Sequence, residues 1–155
     1  MVYFVTDRST YHAVTRKSVH AVASLPVELS VDQFVLLAEK RDPKSTLHKQ
    51  IQWVAKVLSV RQPAPGELEH LWPGKAEQHD WKWLIELYWS AELDHKFNMF
   101  EVKGIDYAQY RNVQTAKVLP EADQRAMLDF LCETNPAVVR DFISRALPEE
   151  RRATR

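Results

Sequence analysis

The 155-residue sequence is poor in features that would narrow its function at once. It contains three glycines and one cysteine, and it has no apolar run of the length that a membrane span requires. So few glycines exclude a glycine-rich phosphate loop, and the lone Cys132 excludes a disulfide within the chain. The first residues lack the basic and apolar regions of a secretory signal. These absences predict a cytoplasmic protein with no cofactor.

The sequence also has no net charge. The 21 basic and 21 acidic side chains cancel, so no global field would attract the chain to nucleic acid or to an acidic membrane. The balance is uneven along the sequence, since residues 61–101 hold four basic and eight acidic side chains. The middle of the chain is therefore predicted to be its acidic part.

What the sequence does contain is a set of helix-start signals. Ser30 with Gln33, and Asp106 with Gln109, have the spacing of capping boxes, and prolines follow Asp42 and Asn135. These signals predict a mainly α fold, a single domain over 1–147 with six or seven helices, and a charged tail over 148–155. The predicted helices span 31–41, 43–59, 80–95, 107–118, 120–133 and 136–147.

Few segments are typical of strands. Residues 2–5 and 97–102 are the two strand candidates, and they predict a small two-stranded element. Residues 9–24 form either a seventh helix or, through SVHAVA, a strand. Three prolines and two glycines in 61–74 predict a long irregular connection.

The segment from 76 to 97 combines tryptophans with acidic and histidine side chains. On a helical wheel, its aromatic and aliphatic residues share one broad arc, which predicts a core helix. Glu92 projects from this arc between Tyr88 and His95, so these three are the candidates for general acid and base chemistry. The alternative is a structural hydrogen-bond network.

A His-Asp dipeptide, His79 and Asp80, opens this segment. It resembles the metal-dependent phosphohydrolases named for that dipeptide, which are helical and use an earlier His and a later Asp as further ligands. The resemblance implies a metal site of His48, His79 and Asp80, completed by Asp129 or Asp141. Because the preceding residues GKAEQ are not an apolar helical run, Asp80 is instead predicted to cap a helix, and no metal is expected.

The last two predicted helices suggest a nucleic-acid alternative. They are joined by Thr134 and Asn135, and the second carries Arg140 and Arg145, which is compatible with a helix-turn-helix. Several acidic residues on the first helix oppose contact with phosphates.

The favoured interpretation is a non-enzymatic protein-binding or regulatory module, such as a small inhibitor, immunity or phage accessory protein. Trp72 lies between prolines and glycines, where an aromatic anchor with an acidic rim would suit a basic protein surface. In the alternative, Trp72 folds back onto the core. The predicted binding residues are Trp72, Glu67, Glu69, Glu77 and Trp83.

Overall fold

A computed structural model describes residues 1–6, 17–23, 29–76 and 80–144. Its described part contains six β-strands and three α-helices. The strands are β1 (Val2–Thr6), β2 (Val19–Val22), β3 (Phe34–Glu39), β4 (Ile51–Arg61), β5 (Trp83–Phe97) and β6 (Ala116–Val118). The helices are α1 (Glu67–Leu71), α2 (Glu121–Thr134) and α3 (Pro136–Ser144), with 3-10 turns at Met99–Glu101 and Tyr107–Gln109.

The six strands form one sheet in the order β2-β5-β4-β3-β1-β6. β1 pairs with β3 in parallel, and the remaining neighbours are antiparallel. The sheet curls into a half-barrel. The curl brings β2, at one edge, towards β1 and β6 at the other, and the rings of Phe4 and His20 lie 5.2 Å apart across this approach.

The two faces of the sheet carry two hydrophobic clusters, because successive strand residues point to opposite faces. Tyr3 and Val5 belong to the first cluster, which α2 and α3 complete through Met127, Leu131 and Val139. The second cluster is built by strand residues such as Phe4, Leu37 and Ile85, together with Leu29 before β3. A smaller cluster contains Ala21, Trp72, Trp81 and Leu84.

The prediction of a mainly α fold is wrong, since the described part of the chain is built on a six-stranded sheet, with α2 and α3 packed against its first cluster. The predicted helix at 31–41 contains β3, and those at 43–59 and 80–95 overlap β4 and β5. β5 shows how the error arose. Its odd-numbered residues from Trp83 to Leu93 are all apolar, which is the alternation of a strand, but Leu84 and Tyr88 also lie among the polar even-numbered residues. The enlarged apolar set fits one broad face of a helix as well.

The predicted caps at Ser30, Asp42 and Asp106 form, but they end in turns, whereas the Asn135 side chain bonds to the backbone of His95 instead. Ser30 N donates to Gln33 Oε1 at 3.1 Å immediately before β3. Lys44 N donates to Asp42 Oδ1 at 2.9 Å, and Asp106 accepts from Ala108 N in a 3-10 turn. A local side-chain bond thus specifies the turn, while pairing with distant strands decides the structure of the next segment.

Other segments divide between confirmed and wrong predictions. The predicted strand at 2–5 corresponds to β1, and the predicted helices at 120–133 and 136–147 correspond to α2 and to the described part of α3. The strand alternative for SVHAVA corresponds to β2. The strand at 97–102 is wrong, because β5 ends at Phe97 and a 3-10 turn comes after it. The connection at 61–74 contains α1. In the described ranges, no helix has both the length and the apolar character to cross a bilayer.

Candidate functional site

A cavity of about 220 Å³ lies where the curled sheet brings its two edges together. The residues lining it come from the ends of β1, β2, β3 and β6 and from the start of β5. They are Val5, His20, Ala21, Val22, Ala23, Lys40, Asp80, Trp81, Gln114 and Thr115. Concave sites in the mouths of curled sheets are common places for ligands.

His20 is the buried polar group of this cavity. It lies on β2 opposite Ile85, its side chain is only 4% exposed, and neither ring nitrogen has a hydrogen-bond partner. Burial lowers the pKa of His20 to about 4, so the imidazole is neutral at pH 7. A neutral ring has one N–H donor and one acceptor nitrogen, and here both are unused.

Three lysines lie along one end of the molecule, and each ammonium group donates to a neutral oxygen. Lys40 Nζ donates to Gln114 Oε1 at 3.0 Å, and Lys49 Nζ donates to the carbonyl oxygen of Arg111 at 2.9 Å. Lys117 Nζ donates to the carbonyl of Gln109 at 3.1 Å. Burial and the positive charge of Lys40 lower the pKa of Lys49. The partners of these three lysines, all within 109–114, therefore do not neutralise their charge, although Lys49 is itself buried.

Beside the lysines is a pair of aromatic rings. Phe100 is 60% exposed, and its ring meets the Tyr107 ring edge-on at 5.6 Å. The Arg111 guanidinium lies 5.7 Å from the centre of the Tyr107 ring. Phe100 and Tyr107 also line a groove of about 210 Å³ together with Pro43, Ser45, Thr46, His48 and Asn98.

We call residues 39–49 and 98–117 the cationic end. These two segments hold seven basic and four acidic side chains, so 7 − 4 gives three more positive than negative charges. Glu39 pairs with Arg41 at 3.1 Å, and Asp42 and Asp106 bond to backbone amides within their own turns. Glu101 accepts from the amide of Asn98 at 2.6 Å. The cationic end therefore has an excess of positive charge despite the neutral total.

The structure places the predicted acidic surface differently from the sequence interpretation. Trp72 is 4% exposed and packs on Trp81 with ring centres 4.8 Å apart. Glu67 receives two hydrogen bonds from the Arg61 guanidinium, at 2.7 and 2.6 Å, which hold the pKa of Glu67 at about 2. Glu69 accepts from the amide of Gly74 at 2.7 Å.

Of the other two predicted binding residues, the structure describes only Trp83. Trp83 is half-buried in β5, where it packs against the second cluster. Glu77 lies outside the described residues. The acidic segment thus directs its charges and rings mainly into its own structure.

The three acid–base candidates each have a different partner. Tyr88 donates its hydroxyl to Asp32, Glu92 pairs with Lys96 at 2.8 Å, and the His95 ring meets Phe130 edge-on at 6.1 Å. Because this segment is a strand, the helical stripe that would have aligned the three does not exist.

The described His-Asp candidates are also separated. His48 lines the aromatic groove and accepts from the amide of Arg41 through Nδ1 at 2.9 Å. Asp80 lines the cavity, pairs with Lys82 at 3.5 Å and precedes a strand, so the predicted helix cap is wrong. His79 lies outside the described residues. Within the described ranges, no three His, Cys, Asp or Glu side chains are grouped closely enough to hold a metal ion.

Asp129 and Asp141, proposed as further metal ligands, and the linker of the helix pair make contacts within the fold. Asp141 accepts from Trp89 Nε1 at 2.8 Å and so ties α3 to the sheet, while Asp129 lines a separate depression beside α2. Asn135, between α2 and α3, is buried and bonds to the backbone of His95 through both amide atoms. Arg140 is exposed, and Arg145 lies outside the described residues.

Sequence reasoning missed the cavity and the cationic end. One signal was available, since residues 1–60 hold eight basic and five acidic side chains. A second was the pair of aromatic residues, Phe100 and Tyr107, placed among basic residues. Neither signal indicates that β2 approaches β1, and this long-range approach is what creates the cavity around His20.

Comparison with known proteins supports the fold. Neither a family model nor a curated protein matches the chain. Among solved structures, the fold is similar to that of ASCH from Zymomonas mobilis, with a TM-score of 0.58 and 10% identity over 82% of this chain and 94% of that one. Two variants of that protein, a tyrosine-to-phenylalanine and a serine-to-alanine substitution, each give a TM-score of 0.57 at 11% identity. They cover 82% and 83% of this chain and 96% and 95% of theirs. At this identity the likeness concerns the fold alone.

Proposed function

We propose that the protein binds single-stranded nucleic acid along its cationic end. The observation that carries the proposal is the charge pattern there, because the ammonium groups of Lys40 and Lys117 donate to neutral oxygens. Lys49 is buried and only adds positive charge close to Lys40. An ammonium group held by a carbonyl or amide keeps its charge available to a phosphate, whereas one paired with a carboxylate does not. The cytoplasmic setting predicted from the sequence is part of this proposal.

The exposed rings supply the second part of such a site. Single strands are bound by a positive groove that follows the backbone and by aromatic rings on which bases stack. Phe100 and Tyr107 are adjacent, and Arg111 lies beside Tyr107. A base stacked on Phe100 would leave its phosphate near Arg111.

A protein partner for the acidic segment receives less support. Trp72 is in a core cluster, and Glu67 is engaged by Arg61. The cationic end also differs from the helix pair considered for nucleic acid in the sequence, so the proposal uses another surface.

The test measures binding of a labelled 12-nucleotide RNA by fluorescence anisotropy across a series of salt concentrations. Affinity should fall with salt, and Arg111→Gln or Lys117→Gln should each reduce the slope of log K against log salt by about 0.7, as loss of one phosphate contact on a single strand does. Phe100→Ala should weaken binding by about 1 to 3 kcal/mol, the contribution of one stacked base. DNA of the same sequence then distinguishes the two nucleic acids.

Two matched variants control for nonspecific effects. Arg125→Gln removes an exposed arginine on α2 that is paired with Glu121 at 3.6 Å, and Ile143→Ala removes an apolar side chain that is 75% exposed on α3. Both should leave affinity unchanged. Absence of binding at low salt, or equal losses in the control and test variants, would refute the proposal.

A further inference from the structure

We infer that the groove beside Phe100 holds one nucleobase and prefers uracil or guanine, whose carbonyl oxygen accepts a hydrogen bond from His48. The inference rests on the proposed function in so far as the base belongs to a bound strand. A free nucleoside has the same hydrogen-bonding edge, and separate titrations with RNA and with nucleosides distinguish the two sources.

The first argument is the hydrogen-bonding state of His48, which is half-buried and lines the groove. Its Nδ1 accepts from the amide of Arg41 at 2.9 Å and so carries no hydrogen, which places the ring hydrogen on Nε2. Within the part of the chain that the structure describes, Nε2 has no hydrogen-bond partner, yet it is not one of the fully buried polar atoms in that state. His48 therefore offers one accessible donor and no acceptor.

The second argument is the rest of the groove's lining. Ser45 Oγ accepts from the amide of Leu47 at 3.1 Å, which leaves its hydroxyl hydrogen to donate. None of the residues that line the groove is acidic, so a ligand meets no carboxylate there. The groove therefore favours a ligand edge that carries acceptors.

Nucleobases differ in this property. Guanine and thymine present carbonyl oxygens on the edge where adenine and cytosine present amino groups, and uracil has the same carbonyl as thymine. A carbonyl oxygen would accept from His48 Nε2, whereas an amino group would face it with a second donor and leave both hydrogens without an acceptor. Uracil and cytosine have rings of the same size, so a comparison of the two separates this hydrogen bond from stacking.

The third argument is size and rigidity. The groove of about 210 Å³ is smaller than the roughly 300 to 1,000 Å³ that holds drug-sized ligands, which suits one base beside the rings of Phe100 and Tyr107. His48 is held at two points, because Asn98 Nδ2 donates to its carbonyl oxygen at 3.1 Å while the Arg41 amide fixes its ring. Asn98 directly precedes the turn that carries Phe100. A donor fixed in this way beside a stacking ring can discriminate between bases.

The experiment compares 12-nucleotide RNAs of uracil and of cytosine by fluorescence anisotropy. The wild-type protein should bind the uracil RNA about tenfold more tightly, as one good base contact provides. His48→Asn keeps an acceptor near the position of Nδ1 but has no donor at that of Nε2, so the preference should fall to within about twofold while both RNAs still bind. His48→Gln, whose amide nitrogen can reach the position of Nε2, should keep the preference.

A matched control replaces a histidine outside the cationic end. His70→Asn, at an exposed position of α1, should leave the preference unchanged, and circular dichroism checks the fold of each variant. Equal affinity of the wild-type protein for the two RNAs, a preference for cytosine, or an unchanged preference in folded His48→Asn overturns the inference.

Nitrogen NMR on the wild-type protein makes the test independent of all variants. Uridine and cytidine are added separately, and uridine should shift the His48 Nε2 signal more than cytidine does at the same concentration. If no RNA binds but uridine shifts this signal more than cytidine, the proposed function fails and the preference of the groove stands. If both RNAs bind equally and the two nucleosides do not differ in their effect, the preference fails and the proposed function stands.

Discussion

The connection after β4 and the cationic end both join strands and both are rich in charge, yet they use their charges in opposite ways. In the connection, Arg61 binds Glu67 and also donates to Glu86 on β5. At the cationic end, Lys40, Lys49 and Lys117 bind neutral oxygens. Carboxylates compensate the guanidinium of Arg61, whereas amide and carbonyl dipoles only orient the ammonium groups.

The aromatic residues of the two regions differ in the same way. Trp72 is buried against Trp81, and Phe100 is 60% exposed. Clustered charges and aromatic rings in a sequence therefore do not by themselves indicate a surface that binds a partner. What matters is whether the charges are compensated and the rings covered within the fold.

The largest expected effect tests the difference between the two aromatic residues. Trp72→Ala should lower the free energy of unfolding by about 3 to 5 kcal/mol, because it removes a large buried side chain. Phe100→Ala should change it by no more than about 0.5 kcal/mol, as is usual for an exposed position. Urea titration measures both values, and similar costs for the two variants would contradict the comparison.

The second prediction concerns how the free energy of unfolding changes as pH falls. The unfolded chain protonates His20 near pH 6.5 and the folded chain only near pH 4, so acid favours unfolding. The free energy of unfolding should fall by about 3 kcal/mol between these values on account of His20. Glu67, with its pKa lowered from 4.5 to about 2, contributes stability above pH 4.5 that is lost as pH falls towards 2.

Denaturant titrations at a series of pH values measure this effect, with His20→Phe as the control. That variant should lose the decline between pH 6.5 and 4 and retain the one below pH 4.5. An identical pH profile in the two proteins would show that His20 protonates as readily in the folded state as in the unfolded state.

The smallest effect tests charge compensation directly. Arg61→Ala leaves Glu67 and Glu86 without their shared partner and should cost about 1 to 2 kcal/mol, since the group is partly exposed. The variant should also lose part of the stability change that Glu67 contributes between pH 4.5 and 2, because the Ala64 amide still donates to that carboxylate. Lys117→Ala, which removes a charge bonded to a neutral carbonyl, should cost less than about 0.5 kcal/mol. Thermal unfolding of both variants compares them.

Part of the fold could be predicted from local sequence. The helices α2 and α3 have apolar faces that pack on the sheet, and Pro136 begins α3 where a helix needs no amide hydrogen. The capping residues Ser30, Asp42 and Asp106 make the expected local bonds. These features depend on contacts between residues a few positions apart.

The strands β3, β4 and β5 could not be predicted in this way. In β5 the alternation of a strand is present from Trp83 to Leu93, but Leu84 and Tyr88 make the segment compatible with a helix too, and pairing with β4 decides between the two. The helical interpretation grouped Tyr88, Glu92 and His95 on one stripe, whereas in the strand they are held by different partners.

The zero net charge and its uneven distribution follow from the sequence alone, because composition is independent of folding. The turns and the helices α2 and α3 also follow from it, because short-range hydrogen bonds need few residues. The tertiary structure alone decided that Trp72 is covered and Phe100 exposed, and that Lys40, His20 and Thr115 share one cavity. These residues meet only after the curled sheet has brought β2 towards β1 and β6. Pairing between strands far apart in the chain, and not local propensity, sets that arrangement.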